Sequence, residues 1–209
     1  MRHGDQVDST MVLTALGVDL AGNKEVLALR ACAEESKDGW LRLLEDLRAR
    51  GATQMDLIVT DGHDGLVAAV RLLFAATPRQ RCLLHKQRNV LNAVPRLMRH
   101  EIETELAGIW AQPTKEGALT QLAAFKAKDG RLYPEATRSL AEEEDKTLTF
   151  YDFPQTMHRY IRTTNAIESL FSNVRQRTDQ IDVFTSEMSC LTIVWATSEG
   201  ITLRKVPVE

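Results

Sequence analysis

The stretch of residues 57–89 constrains the fold more than any other part of the chain. Residues 57–60 form a short apolar run, typical of a strand, that ends at Asp61. Apolar residues then recur at the spacing of one helix face until a proline ends the pattern. Residues 81–84 indicate a second strand that ends at His85. A strand, a helix and a strand in this order predict a βαβ unit with parallel strands, and therefore an α/β fold.

The ends of the two predicted strands are candidate chemical sites, because ligands of open α/β sheets bind outside the carboxyl ends of the strands. Asp61 and His85 both occupy such ends. A carboxylate at position 61 suits a metal ion or acid–base chemistry. The alternative is a turn aspartate that caps the following helix, and position alone favours this alternative. Asp64, slightly further along the chain, is better placed as the helix cap.

Cys82 and His85 have the spacing of half a zinc site. Structural zinc needs four ligands, usually two such pairs, and the other cysteines, Cys32 and Cys190, are isolated in the sequence. The pattern therefore does not favour zinc. Cys82 alone is typical of a buried strand residue. His85 could orient a carboxylate, bind a phosphate, or end the strand as a hydrogen-bonded histidine.

The sequence as a whole predicts three segments. Residues 11–94 would form the core, in which an antiparallel hairpin of strands 11–18 and 25–33 precedes the βαβ unit. Residues 95–160 show helical patterns without strand signals and predict a helical insertion. Residues 161–200 predict the C-terminal helices of the core.

The first of these C-terminal helices carries Asn165 and Glu168. An asparagine followed three residues later by a glutamate fits a capping box, in which the Glu168 side chain reaches back to the Asn165 amide. The helix dipole also favours a carboxylate in a first turn. Helix capping therefore explains Glu168 without chemistry, and the spacing alone does not show whether Glu168 and Asp61 meet.

Charge is distributed unevenly along the 209 residues. The net charge is −3, yet residues 79–100 contain six basic residues and no acidic one, and residues 153–178 contain four arginines and one acid. Such runs either bind phosphates or form solvated helix faces, and composition does not decide between the two. Three widely spaced cysteines do not indicate a disulfide framework, and we see neither a membrane span nor a secretion signal. We expect a cytosolic protein.

Four stretches of the chain together resemble the core of Mutator-type transposases of bacterial insertion sequences. In the order of that family they read ALGVDLAGNKEVLAL, VTDGHDGL, QRCLLHKQRNVLNAVP and RTTNAIESLFSNVRQRT. The resemblance implies a ribonuclease H-like mixed sheet with a helical insertion. It also implies an Asp-Asp-Glu triad that holds two divalent metal ions, Mg²⁺ or Mn²⁺, for phosphodiester cleavage and strand transfer.

By motif match, the resemblance assigns Asp61 to the second acid of the triad and Glu168 to the last, so both would be catalytic metal ligands. Cys82 and His85 match a Cys-x-x-His signature with a supporting role. The residues that would contact DNA are Lys86, Arg88, Asn165, Arg175 and Arg177. The implied partners are the terminal inverted repeats of the transposon and the target DNA. For the full-length family the resemblance implies a homo-oligomer at the bacterial nucleoid, with no membrane contact.

The first acid of the triad has no counterpart in this sequence. The family carries it on a strand just before the hairpin, whereas Asp5 and Asp8 follow no strand and Asp19 falls in the hairpin turn. We therefore expect a truncated, inactive transposase that lacks the first strand and associates through the exposed sheet edge. One alternative is a remnant that binds DNA or a full-length transposase without catalysis. Another is a two-metal nuclease of the same fold class.

Overall fold

The computed structural model describes residues 2–3, 6–7, 10–181 and 183–207, and it confirms an α/β protein. Asp5 and Asp8 lie outside the described residues. The strands are β1 (Arg2–His3), β2 (Gln6–Val7), β3 (Met11–Val18), β4 (Lys24–Cys32), β5 (Ile58–Thr60) and β6 (Arg79–Arg81). The helices are α1 (Lys37–Ala49), α2 (Asp64–Leu73), α3 (Leu83–Asn92), α4 (Arg99–Trp110), α5 (Lys115–Asp129), α6 (Pro134–Ala141), α7 (His158–Ile161), α8 (Asn165–Thr178) and α9 (Glu187–Glu199). Short 3₁₀ segments cover Arg96–Met98, Glu144–Thr147 and Thr149–Asp152.

β3 and β4 form the predicted antiparallel hairpin, and Asp19 lies in its turn. The Asp19 carboxylate accepts hydrogen bonds from Ala21 N at 2.9 Å, Asn23 N at 2.8 Å and Asn23 Nδ2 at 2.7 Å. The bond from the Asn23 side chain, followed by those from the backbone amides, lowers the pKa of Asp19. This carboxylate therefore serves the turn, in agreement with its exclusion as the first acid.

β5 and β6 pair in parallel, as the βαβ pattern predicts, with Thr60 opposite Arg81. The position of the second strand was predicted wrongly, because β6 covers Arg79–Arg81 rather than residues 81–84. Leu83 instead begins α3 and packs inward, with 4% of its surface exposed. A short apolar run does not by itself distinguish a strand from a buried helix segment, and here the helix is formed.

The described strands form three separate two-stranded sheets, and the ribonuclease H-like mixed sheet without its first strand stays a prediction. The edge of β6 that does not face β5 is covered by other groups. The Thr149 hydroxyl donates to Arg79 O at 2.9 Å, and the Gln80 side chain donates to Arg81 O at 2.6 Å and accepts from Phe150 N at 2.8 Å. Side chains and 3₁₀ segments therefore satisfy the edge that a further strand would have used.

The chain divides into two compact units, which we describe separately. The hairpin unit comprises the described residues of Met1–Asp56, His63–Thr77 and Thr164–Glu209. The strand–helix unit comprises Leu57–Gly62 and Pro78–Thr163. The three segments 11–94, 95–160 and 161–200 expected from the sequence stay a prediction.

In the hairpin unit, α1 lies between a serine and a glycine, the residue types that begin and end helices. The Ser36 hydroxyl accepts from Gly39 N at 3.2 Å, and the left-handed Gly51 (φ 105°) follows the helix end. α2 approaches the start of α1 closely at Gly65, where an added Cβ would lie 2.7 Å from Lys37 N. The buried apolar residues of β3, β4, α1 and α2 are Leu13, Val26, Ala28, Trp40, Leu43, Leu44, Leu47, Val67, Ala69 and Val70.

In the strand–helix unit, two helices after α3 begin at residue types that favour helix starts. The Thr114 hydroxyl accepts from Gly117 N at 3.1 Å and begins α5, while Pro134 opens α6. The core contains Val90, Val94, Ile102, Leu106, Ile109, Trp110, Leu122, Phe125, Leu140, Leu148 and Phe150. Among the described residues, no helix has the length and apolar character to cross a membrane.

Candidate active site

Asp61 lies directly after β5, at the carboxyl end of a strand of the parallel pair, and is half-buried. The position agrees with the sequence prediction. Gly62 follows with a φ of 84°, in the left-handed region that favours glycine. The end of β6 is hydrogen-bonded to the end of β5, because Cys82 N donates to Thr60 O at 2.7 Å. The backbone on both sides of the Asp61 turn is therefore held by the strand pair.

Arg81 is the charged side chain beside this turn, and sequence analysis gave it no role. Its side chain is 5% exposed, and an added Cβ at Gly62 would lie 1.4 Å from Arg81 Nη1. Burial lowers the pKa of Arg81, while attraction from Glu143 and Asp61 opposes this shift. Only the glycine after Asp61 indicated in the sequence that something approaches closely here.

The capping role considered for Asp61 and Asp64 is not observed. α2 starts at Asp64, and the residue in the N-cap position is His63, whose side chain makes no capping hydrogen bond. Asp64 is an exposed residue of the first turn, where the helix dipole favours its charge. The prediction of Asp64 as the cap was therefore wrong.

Cys82 and His85 form a contact in the first turn of α3. Cys82 is fully buried at the N-cap position, and its Sγ lies 3.2 Å from His85 Nδ1. The burial of Cys82 was predicted, but both residues belong to a helix start and not to a strand. Among the described residues, no group of three or more histidine, cysteine, aspartate or glutamate side chains could hold a metal ion. The geometry therefore gives this pair no zinc site.

Glu168 is an exposed residue in the first turn of α8. The predicted capping box is wrong, because Asn165 is already helical and Thr164 occupies the N-cap position. The Thr164 hydroxyl donates to Glu168 Oε1 at 3.4 Å. Glu168 is thus oriented by its own helix start, with a carboxylate that the helix dipole favours.

The two predicted metal ligands belong to different units, Asp61 to the strand–helix unit and Glu168 to the hairpin unit. Carboxylate oxygens are the ligands that Mg²⁺ prefers, so each residue fits the metal in type. Neither unit supplies a complete set of ligands within the described residues. A metal site shared by the two carboxylates stays a prediction.

The basic residues in the first half of the first basic run, residues 79–86, are internal, whereas the arginines of its second half are exposed. Arg79 is 5% exposed and forms an ion pair with Glu143, which adopts a left-handed conformation with φ 55°. Lys86 is 2% exposed, and burial lowers its pKa against attraction from the acids at 142–144. These acids belong to an acidic run about 60 positions further along the sequence. In the sequence, only the opposite charge of the acidic run and the first basic run indicated that they could pair. Burial argues against Lys86 as a direct DNA contact, whereas Arg88 is exposed.

The second basic run lies on the surface of the hairpin unit. Asn165, Arg175 and Arg177 are exposed on α8. Arg177 Nη1 also lies 3.5 Å from Thr197 O, near the end of α9. These three residues keep the surface position that a contact with a DNA backbone requires, and their role stays a prediction.

Comparison with known proteins gives consistent matches along the chain. A family model described as Transposase, Mutator family, matches residues 1–202. The transposase for insertion sequence element ISRM5 of Rhizobium meliloti is 33% identical over 94% of this chain and 49% of its own length. The IST2 transposase of Acidithiobacillus ferrooxidans is 37% identical over 86% of this chain and 61% of its own. The IS6120 transposase of Mycolicibacterium smegmatis is 38% identical over 80% and 52%. The chain thus spans about half the length of these relatives.

Proposed function

Because the chain belongs to the Mutator family of transposases, we propose that it serves the transposition of an insertion sequence. The reaction would be metal-dependent cleavage of DNA phosphodiester bonds and strand transfer at the transposon ends. The match to the family over residues 1–202 carries this proposal. The position of Asp61 at the carboxyl end of a parallel strand supports it, since catalytic groups of α/β folds occupy such ends.

The proposed site consists of the carboxylates of Asp61 and Glu168. Both would bind Mg²⁺ or Mn²⁺, and the bound metal would activate the attacking hydroxyl and stabilise the leaving oxygen. Asp61 contributes a half-buried carboxylate on a turn held by two strands, and Glu168 contributes an exposed one at a helix start. A ribonuclease H-like arrangement of the core belongs to the same proposal and rests on the family pattern.

The proposed partner is DNA, both the terminal inverted repeats of the transposon and the target. The exposed residues Arg88, Asn165, Arg175 and Arg177 would neutralise or bind backbone phosphates. Lys86 takes no direct part in this contact, because its side chain is buried. Its charge instead belongs to the interior of the strand–helix unit.

Strand transfer by this chain, on the ends of the element that encodes it and with Mg²⁺ or Mn²⁺, tests the proposal, and a joined product from the unaltered chain would overturn the expectation of an inactive chain. Asp61→Asn and Glu168→Gln should each abolish the joined product. Matched controls are Asp56→Asn, at an exposed aspartate, and Glu116→Gln, at an exposed glutamate in the first turn of α5. Undiminished joining by either site variant would remove that residue from the site.

A second candidate function is binding of DNA or of a longer transposase without catalysis. The observation that favours it is the lack of a three-ligand group among the described residues. This candidate predicts DNA binding that is independent of Mg²⁺, together with no joined product from the unaltered chain. Binding measured by fluorescence anisotropy with and without EDTA, beside the joining assay, separates the two candidates.

A further inference from the structure

Arg81 is a buried group at the candidate site that has no function in the assignments above. It ends β6 opposite Thr60, one strand away from the turn that carries Asp61. Its low exposure of 5% makes a surface contact with DNA impossible in this conformation. Its guanidinium group instead occupies the space beside Gly62, since an added Cβ there would lie 1.4 Å from Nη1 and 1.9 Å from Cζ.

The other end of the guanidinium group is anchored by α3. Nη2 lies 3.1 Å from the side-chain oxygen of Asn89, in an amide orientation that also lets Asn89 donate to His85 O at 3.2 Å. Nη1, the nitrogen beside Gly62, is buried without a hydrogen-bond partner in the described part of the chain. A buried donor without a partner costs free energy, which argues against a purely stabilising role for this group.

We propose that Arg81 is a positioning residue for Asp61, an inference that rests on the proposed role of Asp61 as a metal ligand. The guanidinium group lies against Gly62 and holds the turn after β5, so that the Asp61 carboxylate keeps one direction at the strand end. Gly62 is the necessary counterpart, because it has no Cβ and adopts the left-handed φ of 84°. Attraction between Arg81 and Asp61 adds to this arrangement.

Positioning and simple electrostatics predict opposite results when Arg81 loses its charge. A cation near a metal ligand repels the metal ion, so by charge alone its removal should tighten metal binding. Removal of a group that orients a ligand weakens metal binding, by about tenfold or more. Arg81→Met separates the two effects. Arg81→Lys keeps the charge without the planar guanidinium group, so it should not restore the affinity.

The metal-free chain provides the first measurement. Amide hydrogen exchange followed by NMR should accelerate about tenfold at Asp61 and Gly62 in Arg81→Met, because the turn opens locally. Arg131→Met removes an exposed arginine from the same unit and should leave both amides unchanged. Unchanged exchange at these two amides in Arg81→Met would overturn the positioning role.

Titration with Mn²⁺, followed by electron paramagnetic resonance, provides the second measurement. Weaker Mn²⁺ binding by Asp61→Asn supports the proposed function. Unchanged Mn²⁺ binding by this variant would remove Asp61 from the metal site. The hydrogen-exchange measurement would then still decide whether Arg81 holds the turn. Arg81→Met and Arg81→Lys should each bind Mn²⁺ about tenfold more weakly than the unaltered chain. Equal or tighter binding by both would overturn the inference.

Asn89→Ala provides a milder variant in case Arg81→Met does not fold. It removes the hydrogen-bond acceptor on α3 and keeps the guanidinium group. Faster exchange at Asp61 and Gly62 and weaker Mn²⁺ binding should therefore both appear, but to a smaller extent. Normal exchange at Asp61 and Gly62, together with normal Mn²⁺ affinity, would then overturn the inference.

Discussion

Two stretches of the chain are rich in basic residues but differ in the burial of their side chains: residues 79–86 and residues 162–177. In the first stretch Arg79, Arg81 and Lys86 are buried and face carboxylates of the 142–144 segment. In the second stretch the arginines of α8 are exposed. A basic run therefore indicates a nucleic-acid contact only when no acidic run elsewhere in the chain neutralises it inside the fold.

The largest expected effect is the decrease in the free energy of unfolding when the buried ion pair of Arg79 and Glu143 is removed. Arg79→Met removes the cation that faces the Glu143 carboxylate, whose side chain is 24% exposed. Because a carboxylate is left partly buried, we expect the free energy of unfolding to fall by about 3 kcal/mol. Urea denaturation measures the change. The matched control is Arg175→Met on α8, which should stay within about 0.5 kcal/mol. Equal losses in both variants would contradict the comparison.

The next effect concerns the polar edge of β6. Gln80 is fully buried, and its side chain accepts from Phe150 N and donates to Arg81 O. Gln80→Leu has similar volume but leaves these backbone groups unpaired, so the free energy of unfolding should fall by about 2 kcal/mol. Thermal unfolding followed by circular dichroism measures it. Gln176→Leu, at an exposed glutamine of α8, should change stability little, and a comparable loss there would count against the argument.

DNA binding provides the third test, which separates exposed from buried basic residues. Replacing Arg88, Arg175 and Arg177 together by glutamine should lower affinity and flatten its dependence on salt, by about 0.9 in log–log slope for each phosphate that is no longer neutralised. Lys86→Met should leave the slope unchanged, because the side chain is buried. Anisotropy titrations from low to moderate salt measure the slopes. A slope that responds to Lys86 and not to the three arginines would reverse the assignment.

The smallest expected effect is a pH dependence from Lys86. Burial lowers its folded pKa below the usual value of 10.5, so the unfolded chain binds more protons between these two pKa values. The free energy of unfolding should therefore rise with pH between these two pKa values. Below them, the cost of burying the charged Lys86 ammonium group should be fully present. Lys86→Met should raise the free energy of unfolding near pH 7.5 by about 1 kcal/mol and remove this rise. Denaturation at several pH values up to 10 tests it, and a destabilised Lys86→Met variant would contradict the argument.

Local signals in the sequence determined most of the secondary structure. Ser36 and Thr114 are helix-capping residue types and begin α1 and α5, and Asp19 lies in the predicted hairpin turn. The parallel pairing of β5 and β6 and the position of Asp61 at a strand end also follow from periodicity. These features depend on interactions between residues close in sequence, which a pattern of residue types can show.

Two helix starts show where local signals were insufficient. The sequence predicted a capping box at Asn165, but α8 begins with Thr164 at the N-cap position, and a capping box forms instead at Ser186 before α9. His85 was predicted at a strand end and lies in the first turn of α3. In both places several local conformations satisfy the same residues, so packing selected among them.

Sequence by itself determined the family, the strand that carries Asp61, and the helix that carries Glu168. Only the tertiary structure decided which charges face inward. Arg79 and Glu143 are 64 positions apart, and no periodicity relates them. Their pairing depends on how the 3₁₀ segments cover the edge of β6, and so does the burial that separates Arg79 from the exposed arginines of α8. Charge is a property of the residue, whereas the solvent around it is a property of the fold.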